Sequence, residues 1–150
     1  MNLGESFSEA DKAEYVERSL RPGSVIKLFC DFTTPPKEKR LVILSIQSEL
    51  MVFVINSNIP RFYENKTHLK SQQIKLENQK EIFLDHDSWL DCSEVFKEFS
   101  LEDVKEILLN DTSRILGKLS KDVISQIMDV VSESETLEQR YINTIISDIN

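Results

Sequence analysis

The chain has 150 residues, 40% of them hydrophobic and 29% charged, with a formal net charge of −8. That size and balance predict one globular domain with its own core, and they exclude an intrinsically disordered chain. No apolar run approaches the roughly 20 residues that span a bilayer, and the opening MNLGESFSEADK lacks the basic and apolar regions of an export signal, so a cytoplasmic protein without membrane contact is expected.

Residues 8 to 20, SEADKAEYVERSL, predict a short helix. Ser8 is its cap, Asp11 closes the capping box, and Ala10, Ala13, Val16 and Leu20 make a weak apolar stripe. Residues 1–20 are therefore expected as an N-terminal helical appendage. Arg21-Pro22-Gly23 breaks the helix, and Ser24 to Phe32 reads as a first strand with Ile26, Leu28, Cys30 and Phe32 on one face.

After the Pro35-Pro36 loop comes EKRLVILSIQSELMVFVINSN, from Glu38 to Asn58. Two apolar runs, Leu41 to Ile46 and Leu50 to Ile55, flank Gln47, Ser48 and Glu49, the pattern of two buried antiparallel strands joined by a short hairpin. Lys39 and Arg40 open the first strand, and Asn56, Ser57 and Asn58 close the second. Antiparallel pairing places the start of one strand beside the end of the other, so Arg40 and Ser57 are expected at one end of the sheet.

The polar loop from Asn58 to Lys70 interleaves cations and rings: Arg61, Phe62, Tyr63, Lys66, His68 and Lys70. Such a mixture holds phosphates while stacking on bases. The alternative is that the rings pin the loop to the domain, which is the expectation for Phe62 and remains open for Tyr63. Between residues 21 and 80, ten Lys and Arg face five Asp and Glu, so an anionic ligand at one face competes with ordinary solvated lysines as the explanation.

Gln72 to Glu77 and Glu81 to Leu84 predict a further strand pair. In LDHDSWLDCS, Asp85, His86, Asp87, Asp91 and Cys92 are all metal-ligand types. Neighbours on a strand point to opposite faces, however, so the expected reading is a turn leading into a strand with Trp89 or Leu90 in the core, with no metal and no cofactor. Cys30 and Cys92 are expected as reduced core thiols. Ser100 and Asp103 then start a helix with Leu101, Val104, Ile107 and Leu108 on one stripe. Arg114 to Leu119 is a connector or edge strand. Ser120 caps a second helix carrying Val123, Ile124, Ile127, Val130 and Val131, and Leu137, Tyr141, Ile142, Ile145, Ile146 and Ile149 form a last amphipathic segment that must pack on the domain, a second copy or a partner.

KRLVILSI followed by VFVINSN resembles the paired strands of the MazF/PemK toxins. PGSVIKLFCDF resembles their first strand, LDHDSWLDCSEV a late strand and GKLSKDVISQIMDVVSES their terminal helix. The resemblance covers about residues 21–134. It implies a mainly β fold with helices, an SH3-like barrel of the MazF/PemK/CcdB type, here with an inserted helix near 101–110 and a C-terminal amphipathic tail over 135–150. It further implies a metal-independent endoribonuclease that cleaves single-stranded RNA by attack of the 2′-hydroxyl. The resemblance makes Arg40 and Ser57 the catalytic residues. Arg40 matches the family's strand-opening arginine, whose charged fork stabilises charge on phosphate oxygens, and Ser57 its strand-ending hydroxyl, which binds the scissile phosphate, with Leu41 standing where proline is usual. The residues expected to bind substrate are Lys39, Asn56, Asn58, Arg61, Tyr63, Lys66 and Lys70. The implied partners are an antitoxin or other protein and a second copy in a homodimer. The alternative is a barrel of the same type that binds protein, in a regulatory or phage-related assembly, without cutting RNA.

Overall fold

The computed structural model describes residues 8–150. Six strands form one antiparallel sheet: β1 Ser24–Cys30, β2 Lys37–Ser45, β3 Met51–Asn56, β4 Gln73–Leu76, β5 Ser88–Phe96 and β6 Ile115–Lys118. Their order across the sheet is β4-β5-β3-β2-β1-β6. The sheet curls into a half-barrel. Five helices accompany it among the described residues: α1 Glu9–Ser19, α2 Thr67–Lys70, α3 Leu101–Asn110, α4 Lys121–Ser132 and α5 Gln139–Ile149.

The central hairpin explains the architecture. Leu41 to Leu44 and Met51 to Ile55 are buried without interruption, which a strand tolerates only when both faces are covered. Alternate residues go to different cores. Val42, Leu44, Met51, Phe53 and Ile55 join a cluster closed by Val123, Ile127 and Val131 of α4 and by Ile142, Ile145 and Ile149 of α5. Leu41, Ile43, Val52 and Val54 join the other cluster, closed by Val16 of α1 and by Val104 and Leu108 of α3. Cys92 and Cys30 fall on opposite sides of the sheet and are both free and buried.

The helix starts read from the sequence form as expected. Ser8 Oγ accepts the Asp11 N–H while Asp11 returns a bond to the Ser8 N–H. Ser100 and Ser120 accept the N–H groups of Asp103 and Val123. The first helix is built into the body rather than hung on it, since Val16 and Leu20 are 2% and 1% exposed. The C-terminal segment packs on its own domain, and Ser45 Oγ donates to Asp148 Oδ2 at 2.5 Å.

Two expectations are corrected. Glu81 to Leu84 is not a strand; Glu81 turns inward and its Oε1 accepts the Ser120 N–H at 2.7 Å, so this segment caps α4 while β4 pairs with β5. In the stripe of α3, Ile107 is 37% exposed, while Val104 and Leu108 are buried in the cluster and the partly buried Leu101 packs against it.

Candidate functional site

The ends of β2 and β3 open into a groove of about 760 Å³ lined by Lys37, Lys39, Asn56, Ser57, Asn58, Ile59, Pro60, Arg61, Glu64 and Trp89. Lys39 pairs across the sheet with Leu28, and Asn56 with Trp89. The Lys39 Nζ donates to Asn56 Oδ1 at 2.6 Å. Lys39 and Asn56 share the strand parity of Leu41 and Val54, so the groove continues one face of the sheet beyond its apolar cluster. Three cations face the single carboxylate of Glu64. Burial first, then the neighbouring Lys37 charge, hold the Lys39 pKa below the ordinary lysine value.

Five of the nine residues expected at the site, Lys39, Asn56, Ser57, Asn58 and Arg61, line this groove. Arg40 does not. It lies at the same end of the sheet as Ser57, as hairpin pairing requires, but the next residue along a strand faces the other side. Its Nη2 donates to Asp85 Oδ2 at 3.2 Å, and it lines a separate cavity of about 280 Å³ with Lys27, Glu38 and Arg114. There Arg114 grips Glu38 through two bonds, at 2.9 and 3.1 Å.

The loop after β3 overturns the expectation that Phe62 pins it to the domain, and Tyr63, for which that reading stood open, takes the buried place. Phe62 is 64% exposed, whereas Tyr63 is 7% exposed. The Tyr63 hydroxyl donates to Asp91 Oδ2 at 3.1 Å and lies 3.4 Å from Ser93 Oγ. A tyrosine can be buried where its oxygen finds a partner, and the Asp91 carboxylate supplies one; the Phe62 ring instead stands edge-on to Tyr63 at 4.5 Å, with Lys66 Nζ 5.3 Å from its centre. Lys66 and Lys70 are exposed and line no part of the groove.

Asp91 lies behind the groove and was missed as a structural anchor by sequence reasoning. Its carboxylate, in a residue 6% exposed, accepts from Gln73 Nε2 at 2.8 Å, the Ser93 N–H at 2.9 Å and Ser93 Oγ at 2.5 Å. A carboxylate in mid-strand between Leu90 and Cys92 was the available signal, since a buried charge must find donors. Lys37 and Trp89 were also missed as groove residues.

The acidic run before β5 is spent on separate partners. Asp85 meets Arg40, and Asp87 accepts the Asn78 N–H at 3.0 Å. His86 Nδ1 lies 3.2 Å from Ser88 Oγ. Burial pushes the Cys92 thiol well above its usual pKa and Cys30 to about 11, which keeps both protonated and unreactive. Among the described residues no three His, Cys, Asp or Glu side chains converge. No protein-family model matches the chain, and no curated protein and no solved structure matches it significantly.

Proposed function

We propose that the groove binds single-stranded RNA and that the chain is a MazF/PemK-like endoribonuclease on an SH3-like barrel. The observation that carries this reading is the convergence of Lys37, Lys39 and Arg61 with one opposing carboxylate at the end of the central hairpin, beside the Ser57 hydroxyl. Cations concentrated in a groove overcome the repulsion of an acidic chain locally, because phosphate contacts are short-range in salt. The curled antiparallel sheet supports the barrel assignment.

In such a reaction the RNA 2′-oxygen bonds to the adjacent phosphorus as its proton leaves. The bond to the 5′-oxygen breaks and that oxygen takes up a proton, giving a 2′,3′-cyclic phosphate and a 5′-hydroxyl. The protein must hold the atoms in line and neutralise charge growing on the phosphoryl oxygens. Lys39 takes the charge-stabilising role that the resemblance gave to Arg40, and Ser57 donates to a phosphate oxygen. A homodimer and an antitoxin segment lying across the groove belong to the same reading.

The engagement of Arg40 with Asp85 on the far face favours a second reading, in which the barrel binds protein and does not cut RNA. Expression of wild type, Lys39→Ala and Arg40→Ala in a bacterial host separates the two. The ribonuclease reading expects growth arrest and RNA fragments with 5′-hydroxyl ends from wild type and Arg40→Ala, and intact RNA with Lys39→Ala. Intact RNA with folded wild-type protein overturns it and leaves the protein-binding reading.

A further inference from the structure

Resting on the RNA-binding reading, we infer that Trp89 is the platform on which one base stacks, and that Asn56 selects that base by donating to a carbonyl on its edge. Trp89 is half-buried in β5 and forms a wall of the groove, directly across the strand pair from Asn56. Its neighbours along the cross-strand row are therefore Asn56 and, beyond it, Lys39. Strands lie about 4.8 Å apart, so the row places an indole about 10 Å from a phosphate-binding cation, a separation that one nucleotide bridges between its base and a nearby phosphate.

The orientation of Asn56 follows from chemistry. The Lys39 ammonium has donors only, so the atom 2.6 Å from it is the amide oxygen. The amide NH2 is left as the group Asn56 offers to the groove. Adenine pairs with an asparagine through both amide atoms, giving its 6-amino hydrogen to the oxygen and accepting from the NH2. Lys39 competes for that oxygen. A keto base such as uracil asks only for the donor, so it is favoured over adenine.

Trp89 is the single tryptophan of the chain, which makes its fluorescence a direct report on stacking. The full-length protein is titrated with labelled decamers of 2′-O-methyl uridine and 2′-O-methyl adenosine, which cannot be cleaved by 2′-hydroxyl attack, and with an abasic ribose-phosphate decamer of equal charge. Binding is read by anisotropy and stacking by quenching. The inference expects quenching by the uridine decamer, and an affinity about tenfold above that of the abasic chain. Trp89→Ala should remove that margin, and Asn56→Ala should shrink the preference for uridine over adenosine. Binding of the uridine decamer without quenching, or with equal affinity for the abasic chain, overturns the inference and leaves the RNA-binding reading standing. Absence of binding by all three decamers overturns both. A preference for uridine that survives in Asn56→Ala overturns the role of Asn56 alone.

Discussion

The hydroxyl of Tyr63 reaches back from the groove's outer loop to the buried carboxylate of Asp91 on β5, 3.1 Å away. This one bond ties the segment carrying Arg61 to the strand carrying Trp89. Tyr63→Phe keeps the ring but leaves the carboxylate one donor short, which should cost about 1–3 kcal/mol, read by urea unfolding at pH 7. Weaker RNA binding should accompany it as the loop loosens. Unchanged stability would show that the other Asp91 donors suffice.

The same residue makes a pH prediction. Burial first, and the Asp91 charge, raise the Tyr63 pKa above its ordinary value of 10.0. A raised folded-state pKa means that the stability linked to this proton is complete below about pH 10 and is lost as pH rises through the raised value. Unfolding measured from pH 8 upward should show an alkaline decline in wild type that is reduced in Tyr63→Phe.

Lys39 behaves oppositely. Its pKa is lowered, chiefly by burial and then by Lys37, so its neutral form is favoured by folding. The stability linked to it is present above the ordinary lysine value of 10.5 and is lost as pH falls through the lowered pKa. RNA binding needs the charged form and should therefore weaken at a lower pH than an ordinary lysine would impose. A 2′-O-methyl cytidine decamer, whose bases do not ionise in that range, gives the titration; Lys39→Arg should remove the early alkaline loss, because guanidinium stays charged. Identical profiles for the two proteins would count against Lys39 as a phosphate contact.

The Glu38–Arg114 pair joins β2 to the turn before β6 through a two-pronged contact. The Arg114 hydrogen bond, with its charge, lowers the Glu38 pKa from 4.5. The side chains are 39% and 27% exposed, so solvent screening limits the contribution to about 1 kcal/mol or less. That increment is present above pH 4.5 and lost as pH falls through the lowered value. Arg114→Ala should flatten this part of the acid-unfolding curve; an unaltered curve would assign no stability to the pair.

Ile145 is 0% exposed where α5 covers the sheet. Ile145→Ala should cost about 2–5 kcal/mol, the sum of lost burial and the cavity left behind. Exposed Ile107→Ala in α3 is the control, with an effect expected within about 0.5 kcal/mol. Equal small effects at both positions would mean that α5 does not close the core.

Local chemistry accounts for most of the elements that were legible in advance. Ser8, Ser100 and Ser120 start helices because their hydroxyls satisfy nearby N–H groups, and the paired apolar runs at Leu41 and Leu50 announce a hairpin because both faces of a buried strand must be apolar. Lys39, Asn56, Ser57 and Asn58 were legible because hairpin pairing brings both strand ends together, and Arg61 because the loop that follows interleaves cations and rings. Long-range packing settled the rest. Which face each side chain takes depends on register, and a one-residue step divides Lys39, beside Asn56, from Arg40, beside Asp85. Tyr63 turns inward, leaving Phe62 exposed, because its acceptor lies 28 positions away on another strand. Glu81 leaves the expected strand to cap a helix that begins 40 residues later, at Lys121. Composition and spacing along a chain carry no record of these partners, whose contacts exist only once the sheet has curled and both its faces have been covered.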